Sequence, residues 1–296
     1  MREDLPAWRS LMFVPVTVDK FVKSGADRGA DAIILDLEDA VAPSQKEHAR
    51  TLIADAIPHV ARKGADVVVR VNRPWRLLVR DLEAAVIPGV AALMLTKVDS
   101  AEHVWAVAEI VDELEAERGL PAGSMKFIVL VETANGFFRM EQIARSSPRI
   151  IGLSLGAEDF AADVGMQSEP EALFYPKQHT LFAARAAGVM PMGFVGSIAD
   201  FRDQDAFRAI VRRSKRLGFV CASAIHPLQI PVLNEEFAPT PAEIDRAERM
   251  VAAYDAAYAA GLGAVQFEGA MIDVPVVNRA RTVLKRAAAL QGKLGR

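Results

Sequence analysis

In KFIVLVETANG (126–136) a run of Phe, Ile, Val and Leu ends on Glu132, and the next apolar run, IIGLSLGAEDF (150–160), ends on Glu158 and Asp159. Neighbouring strands lie about 4.8 Å apart, so Glu132 and Asp159 at adjacent strand ends can share one small cation. Mg²⁺ takes one or two protein carboxylates and leaves its other positions to water and substrate oxygens. No His or Cys cluster has zinc-ligand spacing. The other reading of Glu132 is an N-cap or a salt bridge at the next helix, and spacing alone leaves both open.

Arg70 sits among valines in VVVRVN (67–72). An unpaired buried guanidinium is costly, so Arg70 must point into a polar mouth or be paired. Its fork of donors suits a substrate carboxylate, and an ion pair with Asp36 or Glu38 is the structural alternative; the two can coexist. In LDLEDAVAP, Asp36 and Glu38 share one face of a strand. Near Mg²⁺ such acids hold its waters or pair with Arg70. Asp39 is either part of that group or the cap of the following turn. Lys97 and His226 also end apolar runs. Lys97 is a candidate for substrate binding, and a His before Pro more often fixes a loop than acts as a base.

The elements that must position these groups are eight short apolar runs: SLMFVPV (10–16), AIILDLE (32–38), VVVRVN (67–72), ALMLTK (92–97), KFIVLVE (126–132), IIGLSLG (150–156), MPMGFV (190–195) and FVCASAI (219–225). They are rich in Val, Ile and Leu and mostly unalternating, as in strands buried on both faces. Amphipathic stretches lie between them, such as 101–119 behind Asp99 and Ser100, 176–188 and 203–218, each ending at Gly. A β-then-α unit repeated eight times predicts a parallel (β/α)8 TIM barrel (α/β class), whose active site gathers at the strand C-termini. A doubly wound open sheet is the competitor, weakened because no G-x-G-x-x-G follows the first strand. Six of the eight run ends carry a charged or His side chain, and the seventh gives Gly196 and Ser197. The expected domains are a barrel over 1–238 and a C-terminal helical extension over 239–296, with helices at 240–261 and from Pro275. The eighth barrel helix needs only one of these, so the surplus is expected to pack on the barrel mouth or a neighbouring subunit.

The formal net charge of -3 provides no basic field for nucleic acid. The single cysteine, Cys221, excludes an internal disulfide and reads as a small buried hydrophobe. The first residues, MREDLPAWRS, lack the apolar core of a signal peptide, and no apolar run is long enough to span a membrane. A cytoplasmic protein with a small-molecule substrate is the expectation.

Several stretches together resemble the HpcH/HpaI aldolase and citrate lyase β-subunit family, in its CoA-ester lyase branch of citramalyl-CoA and malyl-CoA lyases. They are RSLMFVPV, GADAIILDLEDAVAP, VRVN, VETANG, SPRIIGLSLGAEDFAADVG, LGFVCASAIHPLQI and GAMIDVPVVNRA, in order from Arg9 to Ala280. The resemblance implies a Mg²⁺-dependent barrel that makes or breaks a carbon–carbon bond beside a thioester. It assigns the metal to Glu132 and Asp159, the substrate carboxylate or carbonyl to Arg70, and acid/base chemistry to Asp273 of the MIDVP segment. In relatives this Asp reaches into a neighbour's site, which implies a homotrimer or hexamer. Glu38 and Asp39 fall in the catalytic group, and Arg9 and Lys20 where relatives contact CoA phosphates. The sequence departs from the family pattern at Val16 after Pro15, at Thr96 where Pro is usual, and around Gly193, where an Asp is frequent.

The reaction this implies is a reversible Claisen-type cleavage of a 2-hydroxyacyl-dicarboxylate thioester, such as a citramalyl-CoA- or malyl-CoA-like substrate, to a 2-oxo acid and an acyl-CoA. The alternatives are a class II aldolase on free 2-oxo acids without CoA, a citrate lyase β-type subunit using an acyl-carrier-protein thioester, and a non-catalytic barrel.

Overall fold

The computed structural model describes residues 2, 4–196 and 202–294. The chain divides into two compact units, Met1–Phe237 and Ala238–Arg296.

The first unit carries β1 (Ser10–Pro15), β2 (Ala32–Asp36), β3 (Asp66–Val71), β4 (Val90–Leu95), β5 (Lys126–Val131), β6 (Ile150–Leu155), β7 (Met190–Met192) and β8 (Ala222–Ala224). They pair in the order β7-β6-β5-β4-β3-β2-β1-β8, every pairing parallel. A further parallel bridge, Met192 with Cys221, brings β7 to the approach of β8 and closes the ring. With helices between the strands, this is a (β/α)8 barrel.

Side chains alternate across each strand. One set (Leu11, Ala32, Ile34, Val68, Ala92, Met94, Ile128 and Leu130) fills the barrel interior with Met190, Met192 and Cys221. The other, including Ile33, Leu35, Val67, Val69, Leu93, Leu95, Phe127 and Val129, packs under the helices. Both faces are apolar, which is why the strand runs do not alternate. The same phase carried two residues further places Asp36 after Ile34, Arg70 after Val68 and Glu132 after Leu130, on the interior face where the strands end.

The last two strands are shorter than their apolar runs. Past Met192 the chain turns at Gly193, whose φ is +125°. Residues 219–221 meet β7 through isolated bonds, Val220 N–H to Pro191 O and Gly193 N–H to Cys221 O, and the ladder with β1 begins only at Ala222. The helix before β7 starts at Pro170, well ahead of the expected 176, and carries Pro176 inside it. Proline at the first helical position lacks only an N–H that would be unpaired anyway.

In the second unit, the helix Pro241–Ala259 opens on a capping box between Thr240 and Glu243. The helix Val274–Leu294 packs against it through Met250, Tyr254, Val277 and Ala280. Between them lies an antiparallel hairpin, β9 (Val265–Phe267) and β10 (Ala270–Ile272), where the sequence reading had helices alone. Its two-residue turn, Glu268 and Gly269, has φ of +47° and +81°, the positive pair of a type I′ turn.

Candidate active site

Strand register assembles the mouth. Asp36 and Arg70 are direct partners in the β2–β3 ladder. The guanidinium therefore meets the carboxylate in two bonds, Nε to Oδ1 at 2.8 Å and Nη2 to Oδ2 at 2.5 Å. Arg70 Nη1 lies 2.8 Å from Glu38 Oε2 and 3.6 Å from Asp39 Oδ2, and the guanidinium sits 4.7 Å over the Phe13 ring. Burial works against the Arg70 charge, but Asp36, Glu38 and Asp39 outweigh it and raise the pKa. The Asp36 carboxylate also accepts the Glu38 and Ala40 N–H groups, which folds the loop after β2 over its own strand end. Lys46 and Asn72 donate to Leu37 O, and Lys46 also to Glu38 O, which pins the same loop.

Lys97 lies two residues past β4 with φ +51°, an uncommon conformation for a residue with a side chain. Its backbone N–H donates to Glu132 Oε2 at 2.6 Å. Its ammonium donates to Glu38 Oε1 at 2.6 Å and lies 3.5 Å from Asp159 Oδ1. One residue thus touches three of the mouth's carboxylates, and Glu38, Glu132 and Asp159 raise its pKa despite partial burial. Burial pushes Glu38 up as well, against the pull of Arg70 and Lys97.

Glu132 is buried at the end of β5. Thr133, not Glu132, caps the next helix by accepting the Gly136 N–H, and among the described residues no Lys or Arg side chain forms an ion pair with Glu132. Burial pushes its carboxyl up to about 7, against Lys97. The β5–β6 register sets Val131 beside Leu155, so Glu132 meets Gly156; a Cβ there would fall 2.4 Å from Glu132 Oε1. Asp159 is half exposed in the first turn of the helix Ala157–Val164, beyond Gly156.

These groups line a cavity of about 480 Å³, with Phe13, Leu130 and Phe194 as apolar walls and Arg70, Glu132, Asp159, Ser154 and Lys177 as polar ones. Among the described residues, no three His, Cys, Asp or Glu side chains are gathered as a metal cage. Glu132 and Asp159 nonetheless fit Mg²⁺. Glu132 is a buried carboxylate with one oxygen free of hydrogen bonds among the described residues, and two protein ligands suffice for an ion that keeps water and substrate oxygens. Among the described residues that line the cavity there is no His or Cys, the donors that favour zinc.

The remaining expected residues are less central. Asp39 is exposed at the edge of the Arg70 cluster. Arg9 precedes β1, at the end of the barrel away from the mouth, where it forms a two-bond pair with Asp31. A CoA role for it is not carried further, since its guanidinium is committed at the wrong end of the strand. Lys20 is exposed in the first turn of the helix Asp19–Gly25, on the mouth side. His226 Nδ1 accepts the Leu228 N–H and shapes its loop. Thr96 donates to Val71 O and is buried, as is Val16. Ser197 lies outside the described residues. Asp273, in the second unit, is exposed at the start of the helix Val274–Leu294, where its side chain accepts the Val276 N–H at 3.4 Å.

The sequence reading passed over Lys177 and Gly156. Lys177 carried a signal: it falls four residues after Leu173 and four before Leu181, on the buried face of the helix Pro170–Ala187.

A parallel barrel whose mouth gathers carboxylates, bridged by Arg70 and Lys97, around a cavity at the strand C-termini has the architecture of a (β/α)8 enzyme's active site. The chain belongs to the HpcH/HpaI aldolase/citrate lyase family, whose model matches residues 9–227. It is 37% identical to the citrate lyase subunit beta of Escherichia coli, over 94% of this chain and 93% of that one. It is 34% identical to the L-malyl-CoA/beta-methylmalyl-CoA lyase of Cereibacter sphaeroides, over 94% of each. Among solved structures, CitE of Mycobacterium tuberculosis in complex with magnesium, acetoacetate and coenzyme A matches with a TM-score of 0.74 at 29% identity, covering 97% of this chain and 100% of that one.

Proposed function

We propose that this protein is a Mg²⁺-dependent carbon–carbon lyase that reversibly cleaves a 2-hydroxyacyl-dicarboxylate thioester, malyl-CoA- or citramalyl-CoA-like, into a 2-oxo acid and an acyl-CoA. The observation that carries the reading is the pairing of Glu132, just past the end of β5, with Asp159, in the first turn of the helix after β6: both line the same cavity, and Glu132 is buried, set against Gly156 and, among the described residues, without an ion pair to a side-chain cation. A relative crystallised with magnesium, acetoacetate and coenzyme A supports it.

Bound at Glu132 and Asp159, Mg²⁺ would supply a Lewis acid for the substrate's carboxylate and neighbouring oxygen. Arg70 uses three of its five N–H donors on Asp36 and Glu38. The rest of the fork, held rigid by those bonds, presents fixed positive charge to the cavity where negative charge develops. Lys97 holds Glu38 and Glu132 in place. Asp273 is assigned the proton transfer at the acyl carbon, acting in a homotrimer or hexamer. Lys20 is the remaining candidate for CoA phosphates.

The test is a screen of hydroxyacyl-CoA esters with Mg²⁺, following 2-oxo acid release. Release that depends on both the thioester and Mg²⁺ supports the reading. Cleavage of free hydroxy-oxo acids with no CoA requirement would replace it with the aldolase reading. The similarity to a citrate lyase subunit beta favours a second version, in which the thioester is carried on an acyl-carrier protein; the same assay with an acyl-carrier thioester separates the two.

A further inference from the structure

Among the described residues, Arg70 and Lys177 line the cavity and Lys97 reaches its carboxylates; Arg70 and Lys97 are already matched. Arg70 faces Asp36, Glu38 and Asp39. Lys97 faces Glu38 and Asp159. Lys177 is different. It is buried on the inner face of the helix Pro170–Ala187, lines the cavity, and makes one hydrogen bond, to Leu155 O at 2.9 Å. Among the described residues no carboxylate lies within ion-pair distance of it; Glu158 acts on it only through space. An ammonium has three donors, so two are left for the cavity.

The surroundings form a small two-donor pocket. A point at the Cβ position of Gly193 lies 3.7 Å from Lys177 Nζ and 3.8 Å from Ser154 Oγ. The missing side chain at Gly193, held at φ +125°, keeps that space clear. Burial lowers the Lys177 pKa to about 8, so the ammonium persists near neutrality at a cost in stability. An unmatched buried charge in a cavity wall is retained against that cost when a ligand supplies the counter-charge.

We propose that Lys177 is a specificity-determining residue that, with Ser154, receives the carboxylate of the 2-oxo acid half of the substrate. The inference rests on the lyase reading and deepens it. A carboxylate oxygen that Mg²⁺ leaves free can accept from both donors, and it brings a counter-charge within hydrogen-bond reach of Lys177, which no carboxylate among the described residues supplies. The acyl-thioester half carries no carboxylate and so has no use for this pocket.

The experiment compares wild type with Lys177→Met in the presence of Mg²⁺. Pyruvate and glyoxylate binding is measured by calorimetry, and the KM for each half-substrate is measured in the condensation direction. The expected result is a 2-oxo acid Kd and KM raised at least tenfold, an unchanged KM for acetyl-CoA, and a melting temperature equal to or above wild type. Lys177→Gln, which keeps a neutral polar group in place of the charge, is expected to show the same loss of 2-oxo acid affinity should the Met variant fold poorly. Unchanged 2-oxo acid affinity in either folded variant overturns the inference, as does a loss confined to acetyl-CoA or to kcat. A lower melting temperature in both variants assigns Lys177 a structural role and also overturns it. If wild type binds neither 2-oxo acid nor acyl-CoA, the lyase reading itself falls and this inference falls with it.

Discussion

The Glu132 carboxylate occupies the space a side chain on Gly156 would need: Oε1 is 2.4 Å and Cδ 2.8 Å from the Cβ position. Gly156→Ala is therefore expected to displace Glu132 from the mouth. Overpacking of this kind typically costs about 1–3 kcal/mol. Mg²⁺ affinity by calorimetry should fall at least tenfold, as it should in Glu132→Gln. An alanine enzyme that binds Mg²⁺ like wild type would show that the contact does not set the metal site.

Arg70 and Asp36 are partners by register, and Asp36 is 1% exposed. Arg70→Met leaves that carboxylate buried with only two N–H donors from its own loop. Breaking a buried pair on one side costs about 3–5 kcal/mol. The expected outcome is a lower urea midpoint together with lost turnover. A variant that loses turnover at full stability would mean that the pair with Asp36 contributes little to folding.

Asp273 is exposed and accepts one N–H at the start of its helix, so Asp273→Asn should fold and bind Mg²⁺ normally. Turnover is expected to fall by about 10² or more if it is the acid/base group. Full turnover in the Asn enzyme would remove it from that role.

At the far end of the barrel, Arg149 clamps Glu115 and Asp112. Burial pushes Glu115 up, but Arg149 and the Met125 and Gly123 N–H groups outweigh it and hold the carboxyl down to about 2. Between the ordinary value of 4.5 and about 2 the unfolded chain binds a proton that the folded chain does not. This contribution is complete above pH 4.5 and is lost as pH falls through that window; it amounts to at most about 3 kcal/mol. Acid denaturation of Glu115→Gln should lack that part of the slope.

Lys177 has the opposite sign. Its folded value, about 8, lies below the ordinary 10.5. Between them the unfolded chain holds the extra proton, so stability rises with pH across that window, by roughly 3 kcal/mol relative to Lys177→Met. Chemical denaturation of both proteins at pH 7.5 and 10 measures it. Parallel curves would mean that the amine is not held in a low-dielectric setting.

The long strands were legible because both faces are buried: VVVRVN and KFIVLVE read as continuous apolar runs and fold as β3 and β5. Their polar ends were legible for the same reason, since Glu132 could not continue such a run. What failed was local competition. FVCASAI is apolar throughout, yet only Ala222–Ala224 finds a ladder partner in β1, because pairing depends on the neighbour and not on the run. The hairpin at Val265–Ile272 hid in a stretch too short for a clear period. Arg9 was read by its place in a motif, and only the strand direction shows that it faces away from the mouth. Lys177 was lost inside a helix because a lone lysine on an apolar stripe weighs little in a hydropathy pattern.

The barrel's seam has a kinetic meaning. β1 must wait for β8: Ser10 pairs with Ala222, so the first strand made finds its second neighbour only when most of the chain has been synthesised. Until then the growing sheet carries open strand edges, the kind of surface that pairs with other chains, and closure over so long a separation is slow. The nascent protein is thus most exposed to aggregation just before Cys221 and β8 arrive, and the short joint there, more than any long strand, decides whether synthesis ends in a closed barrel or in a tangle.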